Sequence, residues 1–156
     1  MSGPVLIGYD GSPASRHAVH EAGALLAGRP ALVVVVFEQG IAFELQELPT
    51  ASGLPPAPID VRTAMEIEDA LSERSQRLAE QGAQLAVEAG FEAEPLVVAD
   101  DITIAETLVG LARERDAQAI VVGAHRHGRM SEILLGSTSR DVIHRATCPV
   151  VVVREA

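Results

Sequence analysis

Leu32-Val-Val-Val-Val-Phe37 is a continuous apolar run, too short for an independent helix and rich in β-branched residues. Having no polar residue to turn toward water, it reads as a strand buried on both faces. Val5-Leu-Ile-Gly8-Tyr9, Ala119-Ile-Val-Val122 and Val150-Val-Val-Val153 have the same character. Strands of this kind need cover above and below, and the segments between them carry helical periodicity. The constraint is a parallel sheet with helices on both faces.

Along the chain, Asp10-Gly11 is turn chemistry, and Ser12 followed by Pro13 is an N-cap with proline at the first helical position. Helical spacing follows at Ala14, Ala18, Ala22, Leu25 and Leu26, until Gly28 and Pro30 stop it. From Glu38 to Asp60 the pattern dissolves around Pro49, Pro55, Pro56 and Pro58, so a long functional loop, a lid or a mobile stretch is expected. Periodicity returns at Ile67, Leu71, Leu78, Leu85 and Ala89, a long amphipathic helix ended by Gly90. The next strand, Ala93 to Ala99, contains Pro95, which cannot donate to a ladder and so assigns it to a sheet edge. Asp100 or Asp101 is expected to cap the following helix, whose apolar face is Ile104, Leu108, Leu111 and Ala112; a last helix runs from Ser137 to about Arg145.

The order βαβαβαβαβ implies an open doubly wound five-stranded parallel sheet, a single domain over residues 1–156. With strand order 3-2-1-4-5, the winding reverses between the first strand, ending near Asp10, and the fourth, ending at Gly123. Ligands of such sheets sit beyond the carboxyl ends of the strands at that reversal.

The segment after the fourth strand is an exception in charge. The formal net charge is −10 and every cation is an arginine. That acidity argues against general nucleic-acid binding, which needs a basic face to displace counterions. Between Gly123 and Gly136, however, Arg126 and Arg129 face only Glu132, with His125 and His127 able to add charge. A basic loop leading through Gly136-Ser137-Thr138-Ser139 into a helix start is an anion site by charge and by backbone. The plainer alternative is a solvated loop with scattered cations.

Other chemistry finds little support. A single cysteine forms no internal disulfide, which fits a reducing compartment. The N-terminus lacks signal-peptide regions, and no apolar stretch approaches the ~20 residues of a membrane span. A cytoplasmic protein without membrane contact is expected. His125 and His127 have no cysteine or paired carboxylate to complete a metal set, and Cys148 reads as a small buried hydrophobe. There is no Gly-x-Ser-x-Gly elbow, no Walker pattern and no lysine for a phosphate clamp, so no catalytic residues are assigned; any ATP turnover would be slow.

Three blocks carry a family likeness: Val5-Leu-Ile-Gly-Tyr-Asp-Gly-Ser12, Ile120-Val-Val-Gly-Ala-His125, and Ile133-Leu-Leu-Gly-Ser-Thr-Ser139 leading to Cys148-Pro-Val-Val-Val-Val-Arg154. On these the chain resembles the universal stress protein family over nearly its whole length. The nucleotide-binding branch carries Gly-x2-Gly-x9-Gly-(Ser/Thr). Gly123, Gly136 and Ser137 fit that spacing, while Arg126 stands at the second glycine.

The resemblance implies an ATP site, with Mg²⁺, in a Rossmann-like stress-response module. Carried over by position, Asp10 with Gly8 and Tyr9 would line the base pocket, and Val36 or Phe37 would pack beside it. Gly123 would approach ribose and phosphates, and Gly136, Ser137, Thr138 and Ser139 would supply amides and hydroxyls to phosphate oxygens. Arg126 would either clamp phosphate in a bidentate way or occupy its place, with Gly128 restoring flexibility two residues on. In the second case the chain is a dimeric interaction protein without nucleotide. Asp10 and Gly136-Ser137 also have plain readings, as turn and cap. Finally, Val150 to Val153 at the sheet's outer margin would template aggregation if left bare, so a homodimer through that strand is expected, as the resemblance also implies.

Overall fold

Successive residues of the central strands are buried on opposite faces of the sheet, which sorts their side chains into two cores. A computed structural model describes residues 3–38, 53, 60–100, 102–124 and 136–154. Its strands are β1 (Val5–Gly8), β2 (Pro30–Glu38), β3 (Glu92–Asp100), β4 (Ala119–Ala124) and β5 (Val150–Arg154). The helices among the described residues are α1 (Pro13–Leu26), α2 (Val61–Glu88), α3 (Ile104–Glu114) and α4 (Ser137–Arg145). All strand pairings are parallel, in the order β3-β2-β1-β4-β5.

Val5, Ile7, Val33, Val35, Ala119 and Val121 point to one face, where Ala18, Val19 and Ala22 of α1 and Ala79, Ala83 and Ala86 of α2 cover them. Leu6, Val34, Ile120 and Val122 point to the other, under Leu108, Val109 and Ala112 of α3 and Val142 of α4. Leu6, Ile7, Ile120 and Val121 are fully buried, each worth roughly 1.5–3 kcal/mol of transfer free energy. Small residues on α1 and α2 set their close approach. A Cβ at Gly23 would lie 2.5 Å from the Ala89 carbonyl oxygen, and one at Gly82 would lie 2.8 Å from the Tyr9 ring.

The sheet order is the expected one, and Pro95 stands on the edge strand, opposite Val33. Several boundaries move. Pro30 begins β2, the strand position that tolerates a missing donor. The long helix starts at Val61, six residues before the first periodic leucine-like position, because the Asp60 carboxylate accepts the Thr63 N–H at 2.7 Å.

The cap expected at Asp100 or Asp101 is a correction. Asp100 is still in β3, paired with Glu38, and Asp101 lies outside the described residues. Thr103 caps α3, its hydroxyl accepting the Glu106 N–H at 3.2 Å. The strand runs one residue longer than expected because its ladder to β2 continues to Asp100, and Thr103 with Glu106 three residues on has capping-box spacing. Most of the loop from Glu38 to Asp60 also lies outside the described residues.

Candidate functional site

The turn after β1 is built from four interlocked bonds. The Asp10 carboxylate accepts the Ser12 N–H at 2.9 Å, the Ser12 hydroxyl oxygen accepts the Ser15 N–H at 3.1 Å, and Arg16 donates to the Gly11 carbonyl from Nε at 3.1 Å and Nη2 at 2.9 Å. Gly11 sits at φ +78°, where a side chain is strained. Its place is also tight, since a Cβ there would meet Leu78 Cδ2 at 2.8 Å. Asp10 therefore serves the turn, as its plain reading held, and is exposed at the carboxyl end of the sheet.

Tyr9 extends β1 by one bond, its N–H donating to the Val34 carbonyl at 2.9 Å. Its ring lies in the core beneath α2, and burial, its largest influence, raises the phenol pKa above the ordinary value. Arg16 beside it acts in the opposite direction but more weakly.

Across the sheet reversal, β4 ends at Gly123 and Ala124. An ideal Cβ at Gly123 would stand 2.8 Å from the Ala14 carbonyl oxygen and 3.3 Å from the Ser15 nitrogen. The glycine is thus required by the close pass of α1, whatever occupies the crevice. Ser139 of α4 is buried and donates its hydroxyl to the Gly123 carbonyl at 3.1 Å. That bond ties the first turn of α4 to the end of β4.

Gly136 is the N-cap of α4 and provides no side-chain cap. The helix start consequently keeps N–H donors without a side-chain acceptor, at the positive end of its dipole. Among the described residues nothing lies within 4 Å of a Cβ built at Gly136. At its other end α4 is anchored to α3 by Arg145 Nη1 and Glu106 Oε1, 3.1 Å apart.

These pieces enclose one cavity of about 540 Å³ beyond the carboxyl ends of β1, β2 and β4. Gly8, Tyr9, Asp10, Val36, Phe37, Gly123, Gly136, Ser137, Thr138 and Ser139 all line it. The expected residues Arg126 and Gly128 lie outside the described residues. Its volume falls within the roughly 300–1,000 Å³ of small-molecule sites. Part of the lining is apolar, with Val34, Val122, Ile104 and Leu108, and part is polar, with Asp10 and the start of α4.

Sequence reasoning missed the wall supplied by α2: Leu71, Arg74, Ser75 and Leu78. Leu71 and Leu78 read as ordinary positions of an apolar stripe, and Ile104 and Leu108 likewise. The available signal was Arg74, which interrupts that stripe between them. Among the described residues no three His, Cys, Asp or Glu side chains come together as metal ligands, and no helix is long and apolar enough to cross a membrane.

Comparison with known proteins agrees with this architecture. Residues 1–154 match the model of the universal stress protein family. A universal stress protein of Mycobacterium tuberculosis is 29% identical over 153 residues, covering 98% of this chain and 46% of the relative, so the chain spans about half the length of that curated relative. A universal stress protein of Archaeoglobus fulgidus, solved in complex with dAMP, superposes with a TM-score of 0.57 at 23% identity over 96% of both chains. Another universal stress protein, solved in complex with cAMP, gives a TM-score of 0.62 at 24% identity, covering 99% of this chain and 98% of the other. At these identities the structural likeness speaks for the fold.

Proposed function

The chain belongs to the universal stress protein family, and from that premise we propose that it is a single-domain regulatory module of the stress response that binds an adenine nucleotide, ATP, in the crevice at the sheet reversal. The observation that carries the reading is convergence. Asp10 after β1, Gly123 near the end of β4 and the start of α4 are far apart in sequence and line one cavity. A base and a polyanion need that combination of an apolar wall and a dense set of donors.

In this reading Val36 and Phe37 pack beside the base, with Gly8, Tyr9 and Asp10 forming the floor of its pocket. The N–H groups of Ser137 and Thr138 and their hydroxyls face phosphate oxygens. Ser139 acts at one remove, since its hydroxyl hydrogen is given to Gly123 and what it supplies is the position of α4. Arg126 and Gly128 belong to the same loop as a phosphate clamp and a flexible joint. Mg²⁺ enters on the nucleotide's own phosphates, a role that asks for no dedicated cluster of protein carboxylates.

The role is binding, with any hydrolysis slow and incidental. We also place the protein in the cytoplasm, consistent with its single cysteine. It is taken to assemble as a homodimer through Val150 to Val153, which would cover the bare edge of β5. Native mass spectrometry of gently purified protein, followed by calorimetric titration of ATP, tests the site. A co-purifying or saturable adenine nucleotide is expected. Absence of binding by ATP, AMP and cyclic AMP alike would leave the rival reading, a dimer working through protein contacts with Arg126 filling the crevice.

A further inference from the structure

The face of α2 turned to the sheet can be followed through Gly82, which lies against Val33 and Tyr9, and Leu78, which lies beside Gly11. Arg74 is one turn earlier on this side and lines the cavity together with Ser75. Among the described lining residues it is the one cationic side chain.

Among the described residues its charge has no partner. Elsewhere on α2 arginines stand next to carboxylates: Arg62 pairs with Glu66 at 3.5 Å, and Arg77 has Glu73 four positions before it and Glu80 three after. Arg74 has Ala70 and Leu71 on one side and Arg77 and Leu78 on the other at the same spacings. Those are the positions from which a helical neighbour could pair with it. No ion pair or hydrogen bond joins its guanidinium to another described residue. In a chain of net charge −10, a cation at a cavity wall with no ion pair to a described residue is open to a negative charge brought by a ligand, since the carboxylate of the described lining, Asp10, accepts the Ser12 N–H.

The cavity therefore has two positive poles carried by helices on opposite faces of the sheet: the start of α4 and the guanidinium of Arg74 on α2. Resting on the nucleotide reading above, we infer that Arg74 is a specificity residue that makes the pocket prefer a nucleoside polyphosphate to a monophosphate or a cyclic monophosphate. One phosphate group is satisfied by the N–H groups of Ser137 and Thr138. A di- or triphosphate adds anionic oxygens that need a second donor, and a guanidinium presents paired N–H groups to such oxygens. The gain is an added charge-assisted contact at a solvent-facing wall, so it weakens with salt.

The test is calorimetric titration of ATP, ADP, AMP, cyclic AMP and adenosine into the full chain, Arg74→Ala and Arg74→Lys, at two salt concentrations. Arg74 is exposed on its helix, so both variants are expected to keep the unmodified urea midpoint. Arg74→Ala should weaken ATP roughly tenfold, ADP less, and AMP and adenosine hardly at all, erasing the preference for polyphosphate. Arg74→Lys should recover part of it. An unchanged ratio of ATP to AMP affinity in Arg74→Ala would overturn the inference and leave the nucleotide site standing. Equal losses for ATP and adenosine would overturn it too, by making Arg74 a base contact. No binding of any of these ligands by the unmodified chain would remove the nucleotide reading itself, and the inference with it.

Discussion

Ser139 donates its hydroxyl to the carbonyl of Gly123 across the mouth of the crevice, 3.1 Å from oxygen to oxygen. This joins the two ends of a segment that sequence alone reads as one continuous anion loop. The serine is buried, so the bond is part of the fold and fixes where α4 begins. Three hydroxyls in a row at a helix start thus divide into two that face the crevice and one that holds the helix in place.

Ser139→Ala should lower unfolding free energy by about 1 kcal/mol, because the part-buried Gly123 carbonyl loses its side-chain partner. Urea unfolding measures this. ATP affinity should fall with it although the lost hydroxyl contacts no phosphate, and Ser139→Thr, which keeps the donor, should recover more of both than alanine does.

Gly123→Ala should cost about 1–3 kcal/mol by overpacking, since its Cβ would press on the Ala14 carbonyl oxygen at 2.8 Å. The loss should be the same with and without nucleotide in an unfolding titration if the glycine is there for α1. A variant of full stability that merely binds ATP less well would show that its role is toward the ligand.

Gly136→Trp should leave stability almost unchanged and abolish ATP binding. The residue has φ −59°, ordinary for any side chain, and a Cβ there meets nothing among the described residues. Bulk added at this point enters the cavity in front of the α4 donors. Undiminished affinity in the folded variant would move the ligand away from α4.

The two edge prolines should behave differently. Ile120 N–H donates to the Pro149 carbonyl at 2.9 Å, so residues 149, 151 and 153 turn their backbone groups toward β4, and Val150 and Val152 turn theirs outward. Val151→Pro should break the ladder to β4 and destabilise the fold. Val152→Pro should keep the monomer and raise the dimer dissociation constant about tenfold, the worth of one lost hydrogen bond. Sedimentation equilibrium measures this, and a monodisperse monomer for the unmodified chain at micromolar concentration would refute the dimer.

Asp60 caps α2, and the Thr63 backbone N–H is the chief reason its carboxyl pKa lies below the usual value. A depressed folded pKa means that this stabilisation is present above the unfolded pKa near 3.8 and is lost as pH falls through the lower folded value. Asp60→Ala should therefore lower the melting temperature at neutral pH, and the difference from the unmodified chain should shrink once pH drops below that range. A difference independent of pH would mean the carboxylate charge contributes nothing.

Particular residues show how far the sequence could be read. Pro95 assigned β3 to an edge because a missing donor is tolerated there and not at the centre, and the sheet order agrees. Valine runs identified strands because nothing in them can face water. The Asp100 cap failed because a strand's end is set by how long its neighbour continues, and Glu38 across from it is no local feature. Arg74 went unassigned for a related reason: periodicity gives the side of a helix on which a residue lies, and the depth of the neighbouring sheet decides whether that side meets core or crevice.

What the sequence determined by itself is local and periodic: the alternation of buried strands with amphipathic helices, the turn at Asp10-Gly11, and the family likeness written in its glycine blocks. What only the tertiary structure decided is which groups share a space. Gly123 is empty of side chain because α1 passes over it, Ser139 spends its hydrogen on that glycine, and the α2 arginine stands with Asp10 and the α4 terminus around one cavity. Such juxtapositions depend on how helices from opposite faces overhang the sheet, and the packing of alanines and glycines that sets the overhang leaves no local mark on the residues it brings together.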